Sequence, residues 1–207
     1  ASNCYECMFR GCISLTSIPS GLLPATTLAT WCYSGMFWGC RALVNAPVLP
    51  ATTLAAECYS YMFLNCESLT TAPELPATTL ATRCYEEMFF CCNSLTVAPE
   101  LPATTLAANC YHYMFYGCSS LSVAPELPAT TLAPYCYCYM FYGTSLTTSP
   151  ILPATILDRF CYAGMFMKCN KLNKITMLAM DISAYQCLNG WVDGVASTGT
   201  FIKIAAM

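Results

Sequence analysis

The chain holds 207 residues, enough for one ordinary domain with a sizeable core. Charged residues make up only 9% and the net charge is −3, which excludes a basic nucleic-acid surface. Pro, Thr, Ser and Asn break every apolar run short of the roughly 20 residues that a spanning helix needs, so no membrane-inserted segment is expected.

The opening residues, "ASNCYECMFR", lack the apolar stretch of a signal peptide. They read as the middle of a repeat unit, which leads us to expect that the chain begins inside a larger protein. Repetition governs the whole chain. "CY" cysteines recur at Cys4, Cys32, Cys58, Cys84, Cys110, Cys136, Cys161 and Cys187, spaced by 28, 26, 26, 26, 26, 25 and 26 residues. "MF" pairs keep step from Met8-Phe9 to Met165-Phe166, and Trp191-Val192 replaces them in the last unit. A leucine comes next in each of the first seven units, from Leu15 to Leu172.

Each unit predicts one coil of a solenoid. "SLTVAPEL" suits a strand of a few residues, with its Pro at the strand end because Pro cannot donate to a ladder. "LPATTLA" turns the chain, since Pro fixes φ and Thr can cap the next helical turn. "LAANCYHYMFYGC" places Leu106, Cys110, Met114-Phe115 and Cys118 at steps of about four, the spacing of one helical face. Gly117 and its counterparts Gly11, Gly39 and Gly143 would end that helix. The expected fold is therefore an α/β solenoid, leucine-rich-repeat-like, of about eight coils of ~26 residues with one short strand and one short helical segment per coil. Residues 1–178 form the solenoid of seven units. Residues 179–207 form a divergent last coil and C-terminal cap, in which "TFIKI" reads as an edge strand.

The stretch "MFYGCSSLSVAPELP" resembles the "AF.GC..L..I.IP" pattern of BspA-like leucine-rich repeats, found in surface proteins of bacteria and in some protist and phage proteins. The likeness covers seven units, about residues 4 to 178, with the eighth divergent. It is greatest to the Cys-rich variant of gut bacteria and their phages. This chain departs from the pattern by using "MF" for "AF" and by adding "CY" and "PATTLA". The resemblance implies an extracellular, cell-surface or virion-surface setting and adhesion to host or bacterial proteins or glycans. It implies no chemistry, and its binding residues do not carry over one by one.

Six units carry a C-x7-C pair. One disulfide per coil would suit an exported protein. A continuous helix, however, separates such cysteines by about 12 Å, beyond the roughly 7 Å between Cα atoms that a bridge allows. Cys136 is kept although Thr144 stands near its partner's place, and Cys187 is unpaired, as columns of buried thiols would permit. Both readings stay open. The single histidine, His112, lies two residues after Cys110, but no other unit supports a nucleophilic pair there. No P-loop, HExxH or paired CxxC is present, so no cofactor, metal or catalytic residue is assigned. Glu74, Glu100 and Glu126 share one place in successive units, either as a solvated row or as a cation site.

Variation gathers before the first Cys, before "MF" and after it. Drift at solvent positions usually yields Lys, Glu, Gln and Ser. Here it yields Trp31, Trp38, Tyr61, Phe90, His112, Tyr113, Tyr116, Tyr135, Tyr139 and Tyr142, an aromatic composition that binding surfaces use. The sequence thus leads us to expect a non-enzymatic binding or adhesion module that recognises a protein or glycan through these residues. The alternative is a structural spacer or assembly segment of a surface appendage or phage tail fibre. Self-association through the aromatic stripe is a further possibility.

Overall fold

The computed structural model describes residues 1–19 and 21–204. Among these there is no helix, which overturns the expected α/β solenoid with a helical segment in each coil. Three short strands are present: β1 (Thr148–Leu152), β2 (Lys174–Met177) and β3 (Thr200–Ile202). They form one open parallel sheet in the order β1-β2-β3.

In place of the helix, each "CY…MF…C" stretch is a flat ribbon of successive turns. In the second coil the N–H groups of Cys32, Ser34, Met36, Trp38 and Cys40 each donate to the carbonyl three residues back, at 3.0–3.3 Å. The intervening N–H groups of Trp31, Tyr33, Gly35, Phe37 and Gly39 point along the stack instead. They donate to Ala56, Cys58, Ser60, Met62 and Leu64 of the next coil, at 2.7–3.2 Å. Alternate peptides thus close turns and join coils, and the interior backbone is paired throughout the ribbon as burial requires. Every fourth residue takes a positive φ to make this possible: 62° at Trp31, 58° at Gly35 and 74° at Gly39.

The reason the spacing misleads is numerical. A helix turns every 3.6 residues, so residues four apart drift by about 40° per step and those eight apart by about 80°. Cys110, Met114 and Cys118 are all 0% exposed, so no such drift occurs and the true period is four. Two neighbours face inward (Cys110-Tyr111, then Met114-Phe115) and two face outward (His112-Tyr113, then Tyr116-Gly117).

Proline decides where strands form. Most units carry Pro in the "AP" of the expected strand, and there pairing shrinks to a single bridge, such as Asn45 with Thr71 or Val97 with Val123. β1 contains Pro150, and its register shifts between Thr148 and Ile151. The seventh unit reads "KITM" with no Pro, and β2 forms there with an unbroken register to β3. A residue without an N–H leaves a gap in the ladder, so pairing around Pro is interrupted or irregular and is regular only where Pro is missing.

The core is a set of columns running along the stack. Phe9, Phe37, Phe63, Phe89, Phe115, Phe141 and Phe166 stack with centroids 5.6–5.8 Å apart and nearly parallel planes. Tyr5, Tyr33, Tyr59, Tyr85, Tyr111, Tyr137 and Tyr162 form a second ladder at 5.7–5.9 Å. Such pairs add roughly 0.5–1.5 kcal/mol each beyond their burial. All 17 cysteines are free thiols, which decides against C-x7-C bridges. The second cysteine of a unit has a backbone role: Cys66, Cys92 and Cys118 donate from Sγ to the Phe carbonyl of the preceding coil at 3.0–3.1 Å. Thr144, in the same column, turns its hydroxyl to the Phe141 carbonyl at 2.9 Å.

Candidate functional site: the outer aromatic face

The ten residues of the variable face sit on the outward side of the turn ribbon, and each is half-buried. Tyr61, Tyr113 and Tyr139 occupy one positive-φ position of their coils, filled by Glu87 in the coil between Tyr61 and Tyr113, and Trp31 and Tyr135 occupy another. An outward side chain at such a position lies over the neighbouring coil. Tyr139 shows the consequence, because a Cβ on Gly164 would overlap its ring.

Three stacked runs result. Phe90, Tyr116 and Tyr142 form the tightest, at 4.6 and 4.1 Å with planes within 5°, and Lys168 Nζ closes it 5.4 Å from the Tyr142 ring. Tyr113 stacks on Tyr139 at 5.1 Å, and Tyr135 on Phe160 at 4.6 Å. Trp38 packs on Tyr61 at 6.0 Å and carries the Arg10 guanidinium 3.8 Å from its ring centre. In each run ring faces meet ring faces across coils.

Electrostatics obey the same packing. Burial pushes the Tyr113 phenol up to about 12. Burial first, then the Tyr142 hydroxyl, raises Tyr116. Tyr142 itself is lowered, by Lys168 first and Tyr116 second. A second cluster was not legible in the sequence. Glu86 is a nearly buried carboxylate, its side chain 7% exposed, held by His112 Nδ1 at 3.0 Å and Arg83 Nε at 3.8 Å. The Tyr61 hydroxyl donates to it at 3.3 Å. His112 is therefore a cross-coil partner rather than a freely varying surface residue, and its ring lies 4.1 Å from that of Tyr113. The available signal was an acid and a base at the same place of adjacent units, Glu86 and His112, 26 residues apart. Burial raises the nearby Glu57 and Glu87 as well.

Elsewhere, Glu74, Glu100 and Glu126 are exposed and line shallow grooves with Pro73, Pro76, Pro99, Pro102 and Pro128. Among the described residues no group of three His, Cys, Asp or Glu side chains is arranged to hold a metal ion. No helix of the described residues is long and apolar enough to cross a membrane. Comparison with family models, curated proteins and solved structures finds no match to this chain.

Proposed function

We propose that the chain is a non-enzymatic stacking module, a spacer or assembly segment of an extracellular appendage or fibre. One observation carries this reading: the variable aromatics stack on one another across coils, as in the Phe90–Tyr116–Tyr142 run. Their variation then serves the packing of neighbour against neighbour, ring on ring where aromatics follow one another in successive coils. Sparse charge and backbone bonds that run along the stack support the same reading.

A second reading keeps the outer face as a recognition surface, for a protein rather than a glycan. The contiguous hydroxyl edges of Tyr113, Tyr116, Tyr139 and Tyr142 favour it, since they offer hydrogen bonds without free ring faces. An alanine series at these four tyrosines separates the two. A stacking role predicts a stability loss of about 1 kcal/mol per substitution and no change on protein and glycan arrays. Lost binding to an array partner at unchanged stability would instead establish the recognition face and reject the spacer.

A further inference from the structure

We propose that Tyr116 and Tyr142 are an oxidative cross-linking site, at which hydrogen peroxide and a haem peroxidase join the fifth coil to the sixth through a dityrosine bond. The two rings stack with centroids 4.1 Å apart and planes within 5°. Aromatic pairs ordinarily keep about 4.5–7 Å between centroids. Backbone bonds hold the two residues side by side: Cys91 N–H donates to the Tyr116 carbonyl and Gly117 N–H to the Tyr142 carbonyl, each at 2.8 Å. Both rings are half-buried, and they lie inside the stack, between Phe90 of the fourth coil and Lys168 of the seventh.

Distance and proton loss single out this pair. Phe90, on the other side of Tyr116, has no hydroxyl, so Tyr116 has one phenol to couple with in its run. Tyr113 and Tyr139 stack farther apart, at 5.1 Å, and burial pushes the Tyr113 phenol up to about 12. Tyr85, Tyr111 and Tyr137 of the inner ladder are 5.7–5.8 Å apart and 1% exposed. Burial holds their phenols well above the usual value, so the proton that must leave on oxidation stays in place. Tyr142 is the opposite case, lowered by Lys168 first and Tyr116 second. The competing electron donor is Cys91, whose sulfur lies over Gly117, next to Tyr116 in the chain. Burial raises its thiol and keeps it protonated, the less reactive form.

The step balances without a further reagent. Each phenol gives one electron and its O–H proton to become a phenoxyl radical. The two radicals couple at ring carbons beside the hydroxyls, and one C–C bond forms. The two protons on those carbons move to the oxygens as the rings regain aromaticity. The chain loses two hydrogen atoms in all, and one hydrogen peroxide is reduced to two waters. The product links neighbouring coils covalently, whether the outer face serves packing or recognition.

The test treats the dilute full chain with a haem peroxidase and hydrogen peroxide in excess over its 17 thiols. Dityrosine fluorescence is followed, and the monomer is then mapped by mass spectrometry of its peptides. The expected result is one linked peptide pair, Tyr116 with Tyr142, lighter by two hydrogens. Tyr116→Phe and Tyr142→Phe keep a ring in the stack and so keep the fold, and each abolishes the link. A link mapped to Tyr113 and Tyr139 or to the inner ladder would overturn the proposal. So would a Tyr116 product on the Cys91 sulfur, dimers as the main product, or unlinked Tyr116 and Tyr142 once the accessible thiols are consumed.

Discussion

Replacing Gly143 by alanine tests the positive-φ corner of the turn ribbon by the sign of one stability change. Gly143 has φ 69° and donates its N–H to the Met167 carbonyl of the next coil at 2.9 Å. A Cβ built there meets nothing within 4 Å, so the substitution probes backbone conformation alone. The left-handed conformation costs an L-residue about 1–2 kcal/mol. Alanine recovers roughly 0.5–1 kcal/mol by stiffening the unfolded chain. The ribbon therefore predicts a net loss of about 1 kcal/mol, or a fall in Tm of about 2–4 °C for a chain of this size. A residue of ordinary negative φ predicts the opposite, a gain of about 0.5–1 kcal/mol from the same change. Urea unfolding of the two proteins side by side measures the difference, with an unchanged slope confirming that the native state is intact. Gly143→Asn is the control, because Asn tolerates positive φ and stands at the equivalent position as Asn65, with φ 59°. Alanine more stable than glycine, or no better tolerance of asparagine than of alanine, would refute the positive-φ corner.

The inner tyrosine ladder carries a liability that substitution exposes. The Tyr85 hydroxyl is buried with no hydrogen-bond partner among the described residues, so Tyr85→Phe is expected to raise stability by about 1 kcal/mol in the same urea assay. Alkaline titration should unfold the protein sharply. Burial holds the thiols of Cys58, Cys110, Cys138 and Cys161 at about 12, above the value near 9 of an exposed thiol. Between those values the unfolded chain has released these protons and the folded one has not. Their stabilisation is thus complete below about pH 9 and is lost as pH rises toward 12, at about 1.4 kcal/mol per pH unit for each thiol. Near-UV circular dichroism against pH checks this, and a native spectrum retained at pH 12 would contradict the buried-thiol core.

Much of the architecture was legible without coordinates. The columns of Cys, Tyr, Met, Phe and Leu are visible as a 26-residue period, and they are the columns of the core. The local conformation was not. Cys110, Met114 and Cys118 fit a period of 3.6 or of 4.0 equally well over nine residues, and the common structure was the wrong one. The discordant signal was Gly35 and Gly39 within one unit, and Asn or Gly at several matching places, since two glycines four apart each cost a helix interior about 1 kcal/mol. In the ribbon those places are the positive-φ corners. The outer residues divide in the same way. Their aromatic composition was plain, but the stacking of Tyr116 on Tyr142 depends on coil-to-coil geometry that no single unit contains.

The sequence by itself determined that one unit recurs with its apolar columns in register, because a period needs no coordinates to be seen. It did not show that the expected strand would shrink in most coils, because the weight of each Pro in the ladder appears only once the coils are paired. Only the tertiary structure decided which N–H groups close turns and which reach the next coil. A single isolated coil would have no carbonyls to receive the second set, so this alternation exists only in the stack. The same holds for sulfur. Cysteines eight residues apart look like partners in the chain, yet the thiol beside Cys4 is that of Cys32, because neighbours in a stack of coils are one period apart.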